Sequence, residues 1–315
     1  MNNFIRLPYF NEDSGKICYL DQCEVLDIGG LPADSDLANK LMTDEGVIIR
    51  RRMISKKNKP SGKLLVIEPH PDDFALSSSG YALMALSEGY GCKVLNLFSK
   101  TAIDNFPWKN KLDITERELE KLRLLESRLA IEDYLGEEFE SFNLPMAALR
   151  GNKEIIVSKH EEADLTNSIA ETLIKKISKE NYDVVLCPLG IQGHIDHLVA
   201  FEAAVTAYKK SKRSFNLIFY QEYPYARNHQ ALSDRLQRLK ELAQLQPLYI
   251  DVGGYVEQIC DMISIYRSQF DDINRHQMLA VIKEDFRAIG AEATDQSVKG
   301  SREFMQKYYK LKKLL

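Results

Sequence analysis

Nowhere does this chain run to the roughly 20 apolar residues that a membrane-spanning helix needs, so no membrane span is expected. Its first residues, Met1 to Arg6, lack the apolar core of a secretory signal. The five cysteines are an odd number, and three of them lie in apolar segments. Free thiols in a reducing, cytoplasmic setting are therefore expected, not a disulfide framework. Neither sign of charge dominates: 42 Lys and Arg against 46 Asp and Glu leave a net charge of −4. That balance gives no sign of a nucleic-acid binder. There is one tryptophan, Trp108, and neither an internal repeat nor a low-complexity tract. A glycine-rich phosphate loop is also missing after the first strong strand, which speaks against a nucleotide-binding module.

What is present starts at Leu64. The 315 residues can bury a full core. Leu64-Leu65-Val66-Ile67-Glu68 is a short branched-chain run suited to a strand covered on both faces. Pro69-His70-Pro71-Asp72-Asp73 follows at its carboxyl end, where ligands bind in open α/β sheets. Further strands are expected at 92–98, 139–144, 183–188 and 217–220. Helices are expected between them and at about 114–135, 161–179, 198–210, 230–244, 255–267, 274–288 and 300–313. Strands alternating with helices predict a parallel, doubly wound sheet. Residues 1–60 read as an N-terminal extension to a domain spanning 61–315. A long loop from about Ser99 to Lys111 carries Trp108, read either as a ligand cover or as a surface anchor.

The 183–188 strand is followed by His194-Ile195-Asp196-His197. Three of the six histidines thus stand in two strand-to-helix turns. A catalytic zinc typically takes three protein ligands and leaves one position open. His70, Asp73 and one histidine of the second pair fit that count. Asp72 is then free to act as general base, and His194 stands as the spare imidazole, with Asp196 available to fix its tautomer. This equipment suits metal-assisted hydrolysis of an amide or ester. Iron or another divalent metal would suit the same ligands.

The two motifs resemble those of the PIG-L/LmbE-like zinc-dependent N-deacetylases. The resemblance implies a Rossmann-like three-layer fold with a mostly parallel sheet. It also implies zinc on His70, Asp73 and His197, Asp72 as general base, and His194 as general acid or oxyanion stabiliser. The implied substrate is an N-acylated amino sugar or its small-molecule conjugate. Arg123, within Arg123-Leu124-Leu125-Glu126, resembles a substrate-binding arginine of that family, although a helical ion pair accounts for it equally. Substrate contacts are also expected from Trp108 and from Arg150, in a segment from Leu144 to Gly151 that looks like a strand end of bacterial relatives. Tyr220 to Ala226 and Tyr266-Arg267-Ser268-Gln269 carry looser likenesses, so the resemblance covers about 61–270. The sequence departs from it at Phe74, Ile195 and Met146, where many relatives have Glu, Pro and Asp. Two alternatives stay open: an amidase acting on a non-sugar amide, and a non-catalytic sugar- or metal-binding protein. Oligomerisation also stays open.

Overall fold

Leu64, Leu65, Val66 and Ile67 are each fully buried, because their strand lies inside the sheet with helices over both faces. The computed structural model describes residues 61–102, 107, 115–151, 162–211, 215–270, 272–296, 298 and 302–315. It also describes the backbone of four short strands nearer the N-terminus. Trp108, and with it the expected loop contact, lies outside the described residues. Strand β1 (Phe4–Arg6) pairs antiparallel with β4 (Ile48–Arg50), and β2 (Tyr9–Asn11) with β3 (Lys16–Cys18).

The main sheet has seven strands. These are β5 (Gly62–Glu68), β6 (Tyr90–Lys100), β7 (Glu138–Pro145), β8 (Val184–Pro188), β9 (Asn216–Tyr220), β10 (Ala243–Asp251) and β11 (Met305–Leu314). Their spatial order is β10-β11-β9-β8-β5-β6-β7. All pairings from β9 to β7 are parallel. The chain builds outward from β5 through β6 to β7, then crosses to the other side of β5 to lay down β8 and β9. The switch point of this sheet therefore lies between β5 and β8, the two strands that carry the histidine motifs.

Helices α1 (Ser79–Ser87), α2 (Glu116–Arg128), α3 (Ala163–Glu180), α4 (Ile195–Lys210), α5 (His229–Lys240), α6 (Val256–Ile265) and α7 (Asp272–Asp295) complete the layers. Helix α3 packs on α4, and α1 touches α6. A capping box between Thr115 and Glu118 starts α2. Its π-helical continuation, Leu129–Leu135, stops at Gly136 with φ 71°, a left-handed conformation that glycine adopts without a Cβ clash.

The C-terminal end corrects the sequence reading. The helix expected over 300–313 is strand β11, and β10 follows α5 where the helix was expected to continue to 244. Phe304, Tyr308, Leu311 and Leu315 are spaced like one face of a helix. Instead, β11 pairs with β9 on one side and β10 on the other, both antiparallel. Met305, Gln306, Tyr308, Tyr309 and Leu311 are buried, so the strand shows no simple alternation.

Candidate metal centre

Both motifs leave adjacent strand ends. After β5 the chain turns through His70 and Asp72 into a π-helical turn, Phe74–Ser78, that leads into α1. Buried Glu68 accepts from the Phe74 backbone N–H at 3.0 Å and so pins the start of that turn. Asp72 has φ 113°, a strained backbone for a residue with a side chain. After β8, helix α4 begins at Ile195, three residues earlier than expected, with His194 as its N-cap. Asp196 and His197 thus fall in the first turn of α4.

Three imidazoles converge. The ring centroids are 4.9 Å apart for His70 and His194, 5.2 Å for His70 and His197, and 5.1 Å for His194 and His197. Each offers a ligand atom within 4.8 Å of the others. Asp73 joins them: its Oδ2 lies 3.5 Å from His70 Nδ1 and 3.5 Å from His197 Nε2. Metal–ligand bonds of about 2.1 Å at tetrahedral angles place neighbouring ligand atoms about 3.4 Å apart. His197 Nε2 is buried without a hydrogen-bond partner among the described residues. Such an orphan is costly unless something else occupies its lone pair or proton. The donor set therefore fits a divalent metal.

The distal nitrogens are held as metal-ligating histidines usually are. His70 Nε2 lies 2.8 Å from Asp196 Oδ2. His197 Nδ1 lies 3.3 Å from Glu222 Oε1, which also accepts from the backbone N–H groups of Gly190 (2.5 Å) and Ile191 (3.1 Å). Burial opposes the protonated form of His70, yet the bonds to Asp196 and Asp73 outweigh it and push its pKa up to about 10. These carboxylates favour a positive charge at this position, which a bound cation would supply in place of the proton. Burial, with His70 and His197 close by, lowers His194 to about 2 and keeps it neutral. His194 Nδ1 accepts from the Asp196 backbone N–H at 3.2 Å, which leaves the ring proton on Nε2. Burial and the charge of Asp73 raise the pKa of Asp72 well above the ordinary range, against the opposing pull of His70 and Arg123.

A cavity of about 420 Å³ opens onto this cluster. His70, Asp72, Asp73, Arg123 and His194 line its polar side, and Leu76, Met146, Phe270 and Met278 its apolar side. Arg123 reaches it from α2, donating to Thr101 Oγ1 at 2.7 Å. Gln269, also on the wall, donates to the Pro71 carbonyl at 3.1 Å and steadies the first motif.

The structure thus gathers His70, Asp72, Asp73, His194 and Arg123 around one cavity, with His197 buried against His70, His194 and Asp73. Two expected residues sit differently. The Asp196 carboxylate holds His70, and only its backbone N–H reaches His194. The Arg150 guanidinium faces Glu162, Asp196 and the Pro145 carbonyl and is not among the cavity-lining residues. The sequence reading gave no role to Glu222 or Tyr225. Glu222 directly follows a buried strand at the same sheet edge, as the first motif does. The Tyr225 ring stands edge-on to His197, with centroids 5.3 Å apart.

Fold and site together define a Rossmann-like α/β protein with a histidine–carboxylate cluster at its switch point. Residues 65–208 match the family described as PIG-L: GlcNAc-PI de-N-acetylase. It is 29% identical over 215 residues to 2′-N-acetylparomamine deacetylase of Streptomyces fradiae, a match covering 67% of this chain and 75% of that protein. The fold is similar to that of the zinc inhibited form of teicoplanin deacetylase Orf2 (TM-score 0.58, 16% identity, 79% of this chain and 98% of the other). It is also similar to GalB, the 4-carboxy-2-hydroxymuconate hydratase of Pseudomonas putida KT2440 (TM-score 0.54, 15% identity, 79% and 95%). A deacetylase and a hydratase share this fold, so the fold alone does not choose the reaction.

Proposed function

We propose that this chain is a zinc-dependent hydrolase that removes an acetyl or other acyl group from the amide nitrogen of an amino sugar or its conjugate. The observation that carries this is the tetrahedral-edge spacing of Asp73 Oδ2 to His70 Nδ1 and His197 Nε2, with Asp72 beside it on the cavity wall. His70, Asp73 and His197 would hold the metal. His194 is a less apt third ligand, because its Nδ1 is engaged by the Asp196 N–H. A zinc ion there supplies Lewis acidity, which acidifies water and polarises an amide carbonyl.

The chain's own groups do the rest. Asp72 takes a proton from water as the new C–O bond forms at the acyl carbon. His194 donates its Nε2 proton as a hydrogen bond to the developing oxyanion. The C–N bond then breaks, and the proton held by Asp72 passes to the departing nitrogen. Water and amide become carboxylic acid and amine. The raised pKa of Asp72 suits a group that accepts and then returns a proton. The buried Arg123 guanidinium on the cavity wall is placed to hold a substrate oxygen. The named relative, which acts on an N-acetylated paromamine, supports the substrate class.

The test is amine release from a panel of N-acetyl amino sugars and their glycosides, with non-sugar acetamides alongside. Release from the sugar amides that stops on chelation and returns with zinc is the expected result. Release from the non-sugar amides alone, or from none, overturns the reading.

A further inference from the structure

Fully buried Asp196 divides its carboxylate between two tasks. Oδ2 accepts from His70 Nε2 at 2.8 Å and from the Ala147 backbone N–H at 3.1 Å. Oδ1 accepts from Arg150 Nη2 at 2.8 Å. Arg150 is itself fixed on every side. Its Nε and Nη2 form a fork onto the two Glu162 oxygens at 2.9 and 2.5 Å, and Nη1 donates to the Pro145 carbonyl at 2.5 Å. Its guanidinium lies 4.9 Å from the centroid of the Phe98 ring, and the Phe98 backbone N–H donates at 2.8 Å to Pro69, next to His70. A planar group bound on three sides cannot swing into the cavity without breaking an ionic fork.

We propose that Arg150 is a positioning residue for the metal centre, not a substrate contact. Through Asp196 it holds His70 with its proton on Nε2 and its Nδ1 lone pair turned toward Asp73 and His197. The relay runs from Glu162, at the start of α3, through Arg150 and Asp196 to His70. It thereby couples the segment after β7 to the end of β5 and sets the affinity of the site for a divalent ion. This inference rests on the metal reading given above.

Zinc titration of chelator-stripped protein against a chromogenic chelator tests it, with wild type, Arg150→Gln and Arg150→Lys compared. Loss of such an outer hydrogen bond typically weakens metal binding about 10- to 100-fold. Arg150→Gln should fall in that range. Arg150→Lys should fall between it and wild type, since it keeps a charge beside Asp196 but loses the fork. With zinc saturating, the His70 Nε2–H resonance should shift in Arg150→Gln as its hydrogen bond to Asp196 loosens. With zinc saturating, KM should stay near the wild-type value. Zinc affinity within twofold of wild type together with a raised KM overturns the proposal and returns Arg150 to substrate binding. If Arg150→Gln does not fold, Arg150→Lys decides by the same criterion. A wild type that takes up no zinc overturns the metal reading itself, and this inference with it.

Discussion

Replacing Asp72 with Asn is expected to cut amide hydrolysis about 10²- to 10⁴-fold, the usual contribution of a general base, while metal content stays at the wild-type level. Asn is the informative substitute. It keeps the shape of the side chain and tolerates the positive φ of 113° at this position better than most residues do. It removes only the ability to take up and return a proton. Asp72 lines the cavity but is not one of the three proposed metal ligands, so binding and chemistry separate here. KM should change little, because the loss falls on the transition state. Metal analysis and steady-state rates on the same preparation check both halves. Activity within tenfold of wild type would remove Asp72 from the mechanism.

The second large effect concerns stability. Glu126, on α2, is fully buried, accepting from the Ser268 backbone N–H at 2.8 Å and from Ser268 Oγ at 2.5 Å. Desolvation outweighs these bonds and raises its pKa from 4.5 to about 7. The folded state therefore keeps a proton that the unfolded chain has already released. This contribution to stability is fully present below pH about 4.5 and is lost as pH rises through about 7. A tenfold difference in proton affinity between the folded and unfolded chain is worth about 1.4 kcal/mol, so the whole change is about 3 kcal/mol. In Glu126→Gln this dependence disappears. Urea unfolding at pH 5, 6, 7 and 8 should show wild type losing stability relative to the variant across that range and levelling off above it. Parallel curves for the two proteins would contradict a carboxyl that titrates near neutrality.

The centre of the molecule was legible in the sequence because its signals are local. The run from Leu64 to Ile67 and the 183–188 segment are short apolar strands, and the chemistry-bearing residues come immediately after each. Sheet topology then sets those two strands side by side, which no local pattern states but a doubly wound sheet implies. What stayed hidden depends on distant partners. Strand β11 is a strand because β9 and β10 pair with it; its lysines and its four-residue apolar spacing suit a helix equally well. The role of Glu222 depends on β9 ending beside the Gly190 turn. Arg150 reads as a substrate contact in a strand-end segment, and only the position of Glu162, 12 residues on, shows where its guanidinium goes. Asp196, two residues after His194, reads in the sequence as the partner of that imidazole. The helix starting at Ile195 turns its carboxylate to His70 instead, 126 residues away in sequence.

Metal content of the purified protein tests the central claim most directly. Elemental analysis of wild type should find about one divalent ion per chain, with zinc the expected metal. A His70→Ala, His197→Ala double variant should hold none and release no amine from N-acetyl amino sugars. A wild type that holds no metal even after incubation with zinc, or that hydrolyses such amides unaffected by a chelator, would contradict the account.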